Sequence, residues 1–469
     1  MNKIKILIPL VLFALMGQTV QADEKNYLSI APFYMEPGDV VNVELNLTNE
    51  QAVCAYQTDL VLPEGISVTY EVEDGETYMD VYVDTDRTSS DSRKAHLVDA
   101  MTLSDGRVRI ICYSNRNSEF TGYQGGVANL TIKADDGLQA GVYELKLQDS
   151  ELTLKETLTS YLPADFMTVV PVGITQDNVL TLGGEYTDEA VGVLNAALAQ
   201  KDGLMVVDTK AVTAYGGEVD VRDNPNALLY TSKQLGLTND HNVVVDGRCE
   251  YLLLTDGYPF AVADDFTVAQ GRYDRTLAVG RYGTVVLPFA VDEETTEAFE
   301  FYELQEEGPN YLHFELVDQP VAGKPYLYIN KGEAQATYFA AAKECVVGDA
   351  VTESAAVGEW KMKATYRSMV ITDASVLDKT YYISSNKIKN ATKKLEISPF
   401  WAYLDGPSFA ETFASSAKVV GIRLGKSTEI VPLVMFEDDV IYEMTGRKVE
   451  CLGHGLYIIN GKKFYNNQK

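Results

Sequence analysis

Residues 28–68 read LSIAPFYMEPGDVVNVELNLTNEQAVCAYQTDLVLPEGISV, and residues 104–147 read SDGRVRIICYSNRNSEFTGYQGGVANLTIKADDGLQAGVYELKL. From 41 to 48, valine and leucine alternate with asparagine, glutamate and threonine. A period of two predicts a strand that is buried on one face. Glycine, proline and aspartate turn signals separate further predicted strands, at 56–62, 108–113, 127–134 and 142–147. This succession of short strands predicts a β-sandwich.

The two blocks resemble a cohesin-type domain, a β-sandwich module whose superfamily includes some carbohydrate-binding modules. Four short motifs within 27–172 carry the resemblance: Pro37-Gly38-Asp39, Leu62-Pro63-Glu64-Gly65, Asp105-Gly106-Arg107 and Gly141-Val142-Tyr143-Glu144-Leu145. The resemblance implies a module that recognises a glycan or a protein. Because one fold hosts many functions, it does not identify the ligand or the ligand-binding residues.

The N-terminus has the composition of a secretory signal peptide. Lys3 and Lys5 precede an apolar run from 6 to 16, which is shorter than the ~20 residues of a membrane-spanning helix. Val20-Gln21-Ala22 fits a small-residue cleavage site, so we predict signal peptide 1–22, cut between Ala22 and Asp23. The mature protein is expected to be secreted or to lie on the outer cell surface.

Charge excludes several classes of partner. The chain has 469 residues, with 39 basic and 68 acidic side chains and a net charge of −29. Removing Lys3 and Lys5 with the signal peptide gives −29 − 2 = −31. Nucleic acids and anionic lipids are attracted to basic surfaces, so neither is an expected partner. No later apolar stretch reaches membrane-spanning length, and we predict no transmembrane segment in the mature chain.

The predicted architecture is mainly β and multi-domain, with one helix at 187–200 between two sandwiches. Four segments follow the signal peptide: a cohesin-like sandwich at 23–175, a section with the helix and irregular or short-solenoid β structure at 176–265, a second sandwich at 266–412, and a tail at 413–469. The second sandwich resembles modules near the ends of large surface proteins of Gram-negative anaerobes.

The tail resembles the C-terminal sorting segments of type IX secretion. Gly446-Arg447-Lys448-Val449, Gly455-Leu456-Tyr457-Ile458-Ile459 and the basic Gly461-Lys462-Lys463 carry this resemblance. It implies an interaction with outer-membrane export machinery. The alternative is a plain hairpin that completes a sandwich.

The sequence offers little catalytic chemistry. Five scattered cysteines do not form a disulfide framework; Cys54 and Cys112 either pair or are two buried thiols. The four histidines lie in different segments and are predicted at the surface or in turns, and Trp401 is predicted in a core. We predict no catalytic residues, no cofactor and no metal. The nearest candidates for calcium ligands are Asp80, Asp84, Asp86 and Asp91, and a solvated acidic loop is the favoured interpretation.

The predicted function is therefore recognition, not catalysis. The leading hypothesis is a non-catalytic surface protein that binds carbohydrate or a protein partner. If the ligand is a carbohydrate, we expect the protein to take part in polysaccharide catabolism. The 29 tyrosines, among them Tyr56, Tyr113 and Tyr123, supply rings for such contacts. The alternatives are a structural spacer or adhesin component and, second, a hydrolase with an unrecognised site.

Overall fold

A computed structural model shows a chain in which strands dominate, with four helices among the described residues. The mainly β prediction is confirmed. The chain divides into two compact units: unit 1 holds the described residues of Met1–Lys201 and Val207–Asp220, and unit 2 those of Asp202–Val206, Val221–Lys233 and Thr238–Lys469. The described residues are 25–73, 76–89, 91–232, 241–308, 311–332, 336–384, 386–391, 393–412, 421–425, 441–443, 448–449, 455–459 and 462–466. The predicted signal peptide and its cleavage site lie outside them.

Unit 1 contains sixteen strands and one helix in its described part. They are β1 (Asn26–Ile30), β2 (Val40–Asn49), β3 (Val53–Val61), β4 (Ile66–Val68), β5 (Tyr70–Glu73), β6 (Glu76–Met79), β7 (Val81–Val83), β8 (His96–Thr102), β9 (Val108–Ser114), β10 (Gln124–Ala134), β11 (Gly141–Leu154), β12 (Ser160–Tyr161), β13 (Phe166–Val172), β14 (Ile174–Gln176), β15 (Val179–Tyr186), α1 (Asp188–Leu198) and β16 (Val206–Tyr215).

Two antiparallel sheets form the sandwich of unit 1. The five-stranded sheet has the order β1-β2-β10-β4, with β7 also paired to β10. The six-stranded sheet has the order β12-β11-β3-β9-β8, with β13 also paired to β11. The alternation in β2 places Leu45 and Leu47 in the core between the sheets, where Tyr56 and Leu60 of β3 meet them. Each such side chain contributes about 1.5–3 kcal/mol on burial.

Helix α1 begins and ends close to its predicted limits. Thr187 is the N-cap, and its side-chain oxygen accepts a hydrogen bond from the backbone N–H of Ala190 at 3.3 Å. Asp188 and Glu189 occupy the first turn, where the helix dipole favours negative charge. The predicted apolar face is buried through Leu194 and its neighbours. The helix prediction is confirmed.

The remaining elements of the described chain belong to unit 2. They are β17 (Leu228–Thr231), β18 (Val243–Val245), β19 (Arg248–Thr255), β20 (Phe266–Leu277), β21 (Tyr282–Val286), α2 (Glu293–Ala298), β22 (Phe299–Glu307), β23 (Tyr311–Val317), β24 (Pro325–Asn330), β25 (Ala336–Ala340), β26 (Cys345–Val347), β27 (Lys361–Thr365), β28 (Met369–Ile371), α3 (Ala374–Leu377), β29 (Thr380–Ser384), β30 (Lys387–Asn390), β31 (Leu395–Ile397), β32 (Trp401–Asp405), α4 (Phe409–Thr412), β33 (Gly421–Leu424), β34 (Ile441–Glu443), β35 (Lys448–Val449), β36 (Gly455–Ile459) and β37 (Lys462–Asn466).

The strands from β17 to β20 form a mixed sheet. β17 pairs parallel with β18, β18 antiparallel with β19, and β19 parallel with β20, which also pairs with β25 and β26. A solenoid stacks its strands in one direction, so this section follows the irregular alternative. Asn226 and Asn242 both adopt positive φ and use their side-chain amides to bond the backbone of the neighbouring 253–258 stretch.

Two further sheets of unit 2 share a second core. One has the order β21-β24-β22-β23-β33 and the other β27-β32-β29-β30. Phe314 and Leu327 from the first sheet pack with Tyr381 and Leu404 of the second sheet. Trp360, which directly precedes β27, belongs to the same cluster. The tail strands form a separate four-stranded sheet in the order β35-β34-β36-β37, while much of the predicted sorting segment lies outside the described residues.

The two tryptophans occupy opposite environments. Trp360 is buried in the second core, whereas Trp401 is 37% exposed, so the prediction of a core position for Trp401 is wrong. The preceding Phe400 is buried with φ 65°, a left-handed conformation that breaks the strand alternation. The strand begins only at Trp401, whose ring therefore starts on the exposed side.

Within the described part of the chain, no helix has the length and apolar character needed to cross a membrane.

Candidate functional site

The first two acidic candidates for metal binding are already bonded within the protein. Asp80 accepts hydrogen bonds from the hydroxyls of Thr69 and Tyr82, at 2.5 and 3.0 Å. Asp84 is buried, and one of its oxygens accepts a hydrogen bond from the Nδ2 amide of Asn129 at 2.9 Å. These contacts orient both carboxylates toward protein donors.

The other two acidic candidates do not join them in a ligand set. Asp86 is exposed, and its backbone N–H donates to Asp84 at 2.9 Å. Asp91 accepts a hydrogen bond from the backbone N–H of Arg93 at 3.0 Å. Across the described ranges, no group of three or more histidine, cysteine or acidic side chains is arranged to hold a metal ion.

A buried arginine fastens this acidic loop to the sandwich. Arg87 donates to the carbonyl oxygens of Leu47, Thr121 and Gly122 and to the side-chain oxygen of Asn49, the last three at 2.7, 2.9 and 2.6 Å. Burial lowers the pKa of Arg87 below its usual value. Backbone carbonyls satisfy the guanidinium, so its role in the structure is to anchor the loop.

The outer face of the five-stranded sheet is mainly polar, as expected for a solvated sheet, with Tyr82 of β7 as an exposed aromatic exception. Its outward positions include Asn42, Glu44 and Asn46 on β2, and Asn129 and Thr131 on β10. Antiparallel sheets with one face in water usually show this alternation between apolar inward and polar outward residues.

The outer face of the six-stranded sheet breaks that rule. Leu97 and Met101 of β8 and Tyr113 of β9 are between 42% and 46% exposed, and Ala55 and Ile111 are half-buried beside them. Strand register places Leu97 opposite Tyr113, and Tyr113 opposite Ala55. Cross-strand neighbours lie about 4.5–5.5 Å apart, so Leu97, Tyr113 and Ala55 form one row. Ile111 lies opposite Asp99, and Met101 lies opposite Arg109. The five apolar side chains are here named the apolar face, with Asp99 between Leu97 and Met101 on β8.

One end of the apolar face carries a charged network. Asp59 is fully buried and receives two hydrogen bonds from Arg109, at 2.7 and 2.9 Å. Arg107 lies 2.9 Å from the same carboxylate and also contacts Asp105 and Asp149. The hydrogen bond to Asp59 raises the pKa of Arg109. Both arginines are thus held in fixed positions at the border of the apolar face.

Several side chains lie elsewhere than the sequence suggested. Tyr113 belongs to the apolar face, whereas Tyr56 is buried. His96 faces inward and stacks on Phe120, so its predicted surface position is wrong. Cys54 and Cys112 are both free, buried thiols, and burial raises the pKa of Cys112 to about 12.

The sequence did contain a signal for the apolar face. In β9, Ile110 and Cys112 point into the core, yet the outward Ile111 and Tyr113 are also apolar. A strand that is apolar on both sides is typical of burial on both sides. Without the register of β8 and β3, that signal does not identify the neighbouring side chains.

Comparison with known proteins gives likeness to solved structures. No family model and no curated protein sequence matches the chain. A type I cohesin–dockerin complex from Clostridium thermocellum is 13% identical, and the match covers 33% of this chain and 96% of that one, with TM-score 0.26. The seventh ScaB type I cohesin from Pseudobacteroides cellulosolvens is 14% identical, and the match covers 32% of this chain and 94% of that one, with TM-score 0.26. A non-cellulosomal cohesin from the archaeon Archaeoglobus fulgidus is 14% identical, and the match covers 33% of this chain and 94% of that one, with TM-score 0.25.

Proposed function

We propose that this chain is an exported, non-catalytic surface protein that binds a protein partner through the apolar face of unit 1. The observation that carries the proposal is the contrast between the two outer faces of one sandwich. The five-stranded sheet shows mainly polar residues to solvent, with Tyr82 as an exception, whereas the six-stranded sheet shows Leu97, Met101 and Tyr113. Contiguous apolar surface of this kind marks a site of association.

The composition of the face favours a protein over a glycan. Apolar side chains predominate in the face, with Asp99 among them opposite Ile111, and the other charged residues lie at its border. An apolar patch with a charged rim is the usual anatomy of a protein interface. Tyr113 is the single aromatic ring among the five side chains of the apolar face. Small-ligand sites are concave, and the apolar face follows the surface of an antiparallel sheet.

The charged residues on and around the apolar face indicate which kind of protein it would bind. Five acidic and two basic residues lie on or border the apolar face: Asp59, Asp99, Asp105, Asp149, Glu151, Arg107 and Arg109. We expect a partner with basic groups around an apolar patch. Electrostatic complementarity accelerates association, and salt weakens it by screening.

The proposed location rests on the sequence alone. A signal peptide over 1–22 and a tail similar to type IX sorting segments would carry the chain through the envelope. On the outer surface, a protein-binding module joins two surface components. The spacer hypothesis differs in one respect, because it requires no occupant on the apolar face.

The test uses paired variants of the full chain. Leu97→Asp/Tyr113→Ser removes the centre of the apolar face and adds one charge. Val72→Asp/Tyr123→Ser makes the same chemical change at two exposed residues outside it. Wild type and both variants are immobilised, exposed to envelope proteins of the producing organism, and the captured proteins are identified and purified.

We expect one protein that binds wild type and the Val72/Tyr123 variant, and that loses at least about tenfold in affinity for the Leu97/Tyr113 variant. Purified, it should form a stoichiometric complex whose affinity falls as salt rises. Equal affinity for the two variants would refute the proposal. Self-association of the wild type through the same residues would replace the partner with a second copy of the chain.

A further inference from the structure

Unit 2 contains a cleft whose lining residues differ in composition from those of the apolar face. Its volume is about 530 Å³, within the range of about 300–1,000 Å³ that small-molecule sites occupy. Asp256 follows β19, Arg272, Asp274 and Arg275 lie on β20, and Tyr338 and Trp401 come from β25 and β32. Two aromatic rings and four charged groups therefore line one open cleft.

The indole of Trp401 is held in a fixed orientation at this cleft. Its Nε1–H donates to the Oδ1 of Asp256 at 3.2 Å, and the guanidinium carbon of Arg275 lies 4.2 Å from the ring centroid. Because Trp401 is 37% exposed, part of the ring remains open to solvent despite these two contacts. A ring fixed in this way loses little conformational entropy when a ligand stacks on it.

Arg275 is a buried cation in the wall of the cleft. It is 7% exposed and lies between the rings of Trp401 and Tyr328, 5.6 Å from the latter's centroid. One of its terminal nitrogens donates to the carbonyl oxygen of Thr284 at 3.0 Å, and its Nε lies 3.8 Å from the carboxylate of Asp256. The nearby carboxylate offsets the positive charge, and the guanidinium supports the indole.

A second aromatic ring stands in the wall formed by β20 and β25. Strand register places Tyr338, which is 40% exposed, opposite Asp274. Arg272 donates a hydrogen bond to Asp274 at 3.1 Å, and its Nε lies 2.9 Å from the same carboxylate as an ion pair. The guanidinium lies 5.7 Å from the tyrosine centroid. The pair presents a planar array of donors and acceptors next to an open ring.

We propose that this cleft is a binding site for a neutral saccharide. A sugar ring has apolar C–H faces that stack on aromatic rings, and hydroxyl groups that both donate and accept hydrogen bonds. Trp401 and Tyr338 supply the stacking surfaces, while Arg272 and Asp274 supply the donors and acceptors. The two arginines and two aspartates of the cleft balance in charge, so an anionic ligand gains no net attraction.

The hydroxyl groups of two threonines extend this polar surface. Thr255 faces Asp274 across β19 and β20, and Thr276 lies two residues further along β20. Their side chains can serve as donor or acceptor. The saccharide site therefore combines both kinds of contact that sugars require, in a part of the chain separate from the apolar face of unit 1.

The experiment is calorimetric titration of the full chain with four neutral tetrasaccharides, made of β-1,4-glucose, β-1,4-xylose, β-1,4-mannose and α-1,4-glucose, each to ~10 mM. Tetragalacturonate is the anionic comparison. Tryptophan fluorescence gives a second readout, since Trp401 is exposed and Trp360 is buried. The variants are Trp401→Ala, Tyr338→Ala and, as a control outside the cleft, Tyr258→Ala.

We expect binding of at least one neutral tetrasaccharide with a change in tryptophan emission. Trp401→Ala and Tyr338→Ala should each weaken it about tenfold or more, and Tyr258→Ala should not. If Trp401→Ala does not fold, the exposed Tyr338→Ala decides the result. Absence of binding by all four neutral sugars, tighter binding of tetragalacturonate, or equal affinity in Tyr338→Ala and Tyr258→Ala would overturn the proposal.

Discussion

His96 faces inward from β8, is 3% exposed and stacks on Phe120 with ring centroids 4.0 Å apart. Burial lowers its pKa below the ordinary 6.5, because the charged form is disfavoured in the core. The unfolded chain therefore binds the proton more tightly than the folded chain. The contribution of neutral His96 to stability is complete above about pH 6.5 and is lost as the pH falls through the folded-state pKa.

The corresponding variant is His96→Phe, which keeps the ring and cannot be protonated. We expect the free energy of unfolding of unit 1 to fall less between about pH 7.5 and about pH 5.5 in this variant than in wild type. Urea unfolding at both pH values measures the difference. His313→Gln, in unit 2, is the control. An unchanged pH dependence in His96→Phe would show that His96 does not titrate in this range.

Arg87 illustrates how one buried side chain closes a loop. Removing it in Arg87→Met leaves two buried acceptors, the carbonyl oxygen of Leu47 and the side-chain oxygen of Asn49, without this donor. Unsatisfied buried acceptors are costly, so we expect a loss of about 2–4 kcal/mol in the free energy of unfolding of unit 1. Arg116→Met, at an exposed arginine, is the matched control and should change stability by less than about 0.5 kcal/mol. Equal effects of the two variants would contradict the anchoring role.

Helix α1 shows what a local pattern determines. Its N-cap, its acidic first turn and its buried stripe all follow from residues within one short segment. We expect Thr187→Ala to lower the stability of unit 1 by about 1 kcal/mol, and Thr187→Ser to retain most of it, because serine keeps the cap oxygen. Urea unfolding of the two variants tests this. A serine variant as unstable as the alanine variant would place the effect in the lost methyl group instead.

Strands were predictable where one face is polar. The alternation in β2 gave both its position and its inward residues, because Asn42 and Glu44 mark the solvent side. The buried side of β32 was harder to predict, because Phe400, Trp401 and Ala402 are all apolar residues. Only the left-handed backbone at Phe400 determines which ring is buried and which is exposed. The cleft around Trp401 therefore required the structure.

The apolar face also depends on register between distant strands. Leu97 and Ala55 are 42 positions apart in the sequence, and both meet Tyr113 across β9. No local pattern contains that information, because each strand contributes a single residue to each row of the sheet. The sequence predicted a binding module, and strand pairing determines where on the module an apolar surface forms.

The sandwich of unit 1 has a core of its own. The buried cluster that joins its two sheets runs from Leu28 to Val172 and includes residues of both sheets. We expect residues 23–175, produced alone, to unfold cooperatively in urea and to show dispersed amide NMR signals. A non-cooperative transition with collapsed amide signals would show that this boundary cuts through one folding unit.

The whole molecule combines a net negative charge with two proposed binding surfaces, the apolar face of unit 1 and the cleft of unit 2. The net charge of −29 keeps such a chain from associating through its apolar face at random. A partner with complementary basic groups overcomes that repulsion, and others do not. In the proposed interface, the charged border confers specificity, and Leu97, Met101 and Tyr113 confer affinity.

The measurement that tests the central claim most directly is site-specific photo-cross-linking in the full chain. A benzophenone amino acid replaces Tyr113 in the apolar face or Thr131 on the polar outer face of the other sheet. We expect one discrete covalent adduct with an envelope protein from position 113 and none from position 131. An excess of unlabelled wild-type protein should prevent formation of this adduct, and an excess of the Leu97→Asp/Tyr113→Ser variant should not. Equal adducts from both positions, or none from position 113, would contradict the assignment of the apolar face as a protein-binding surface.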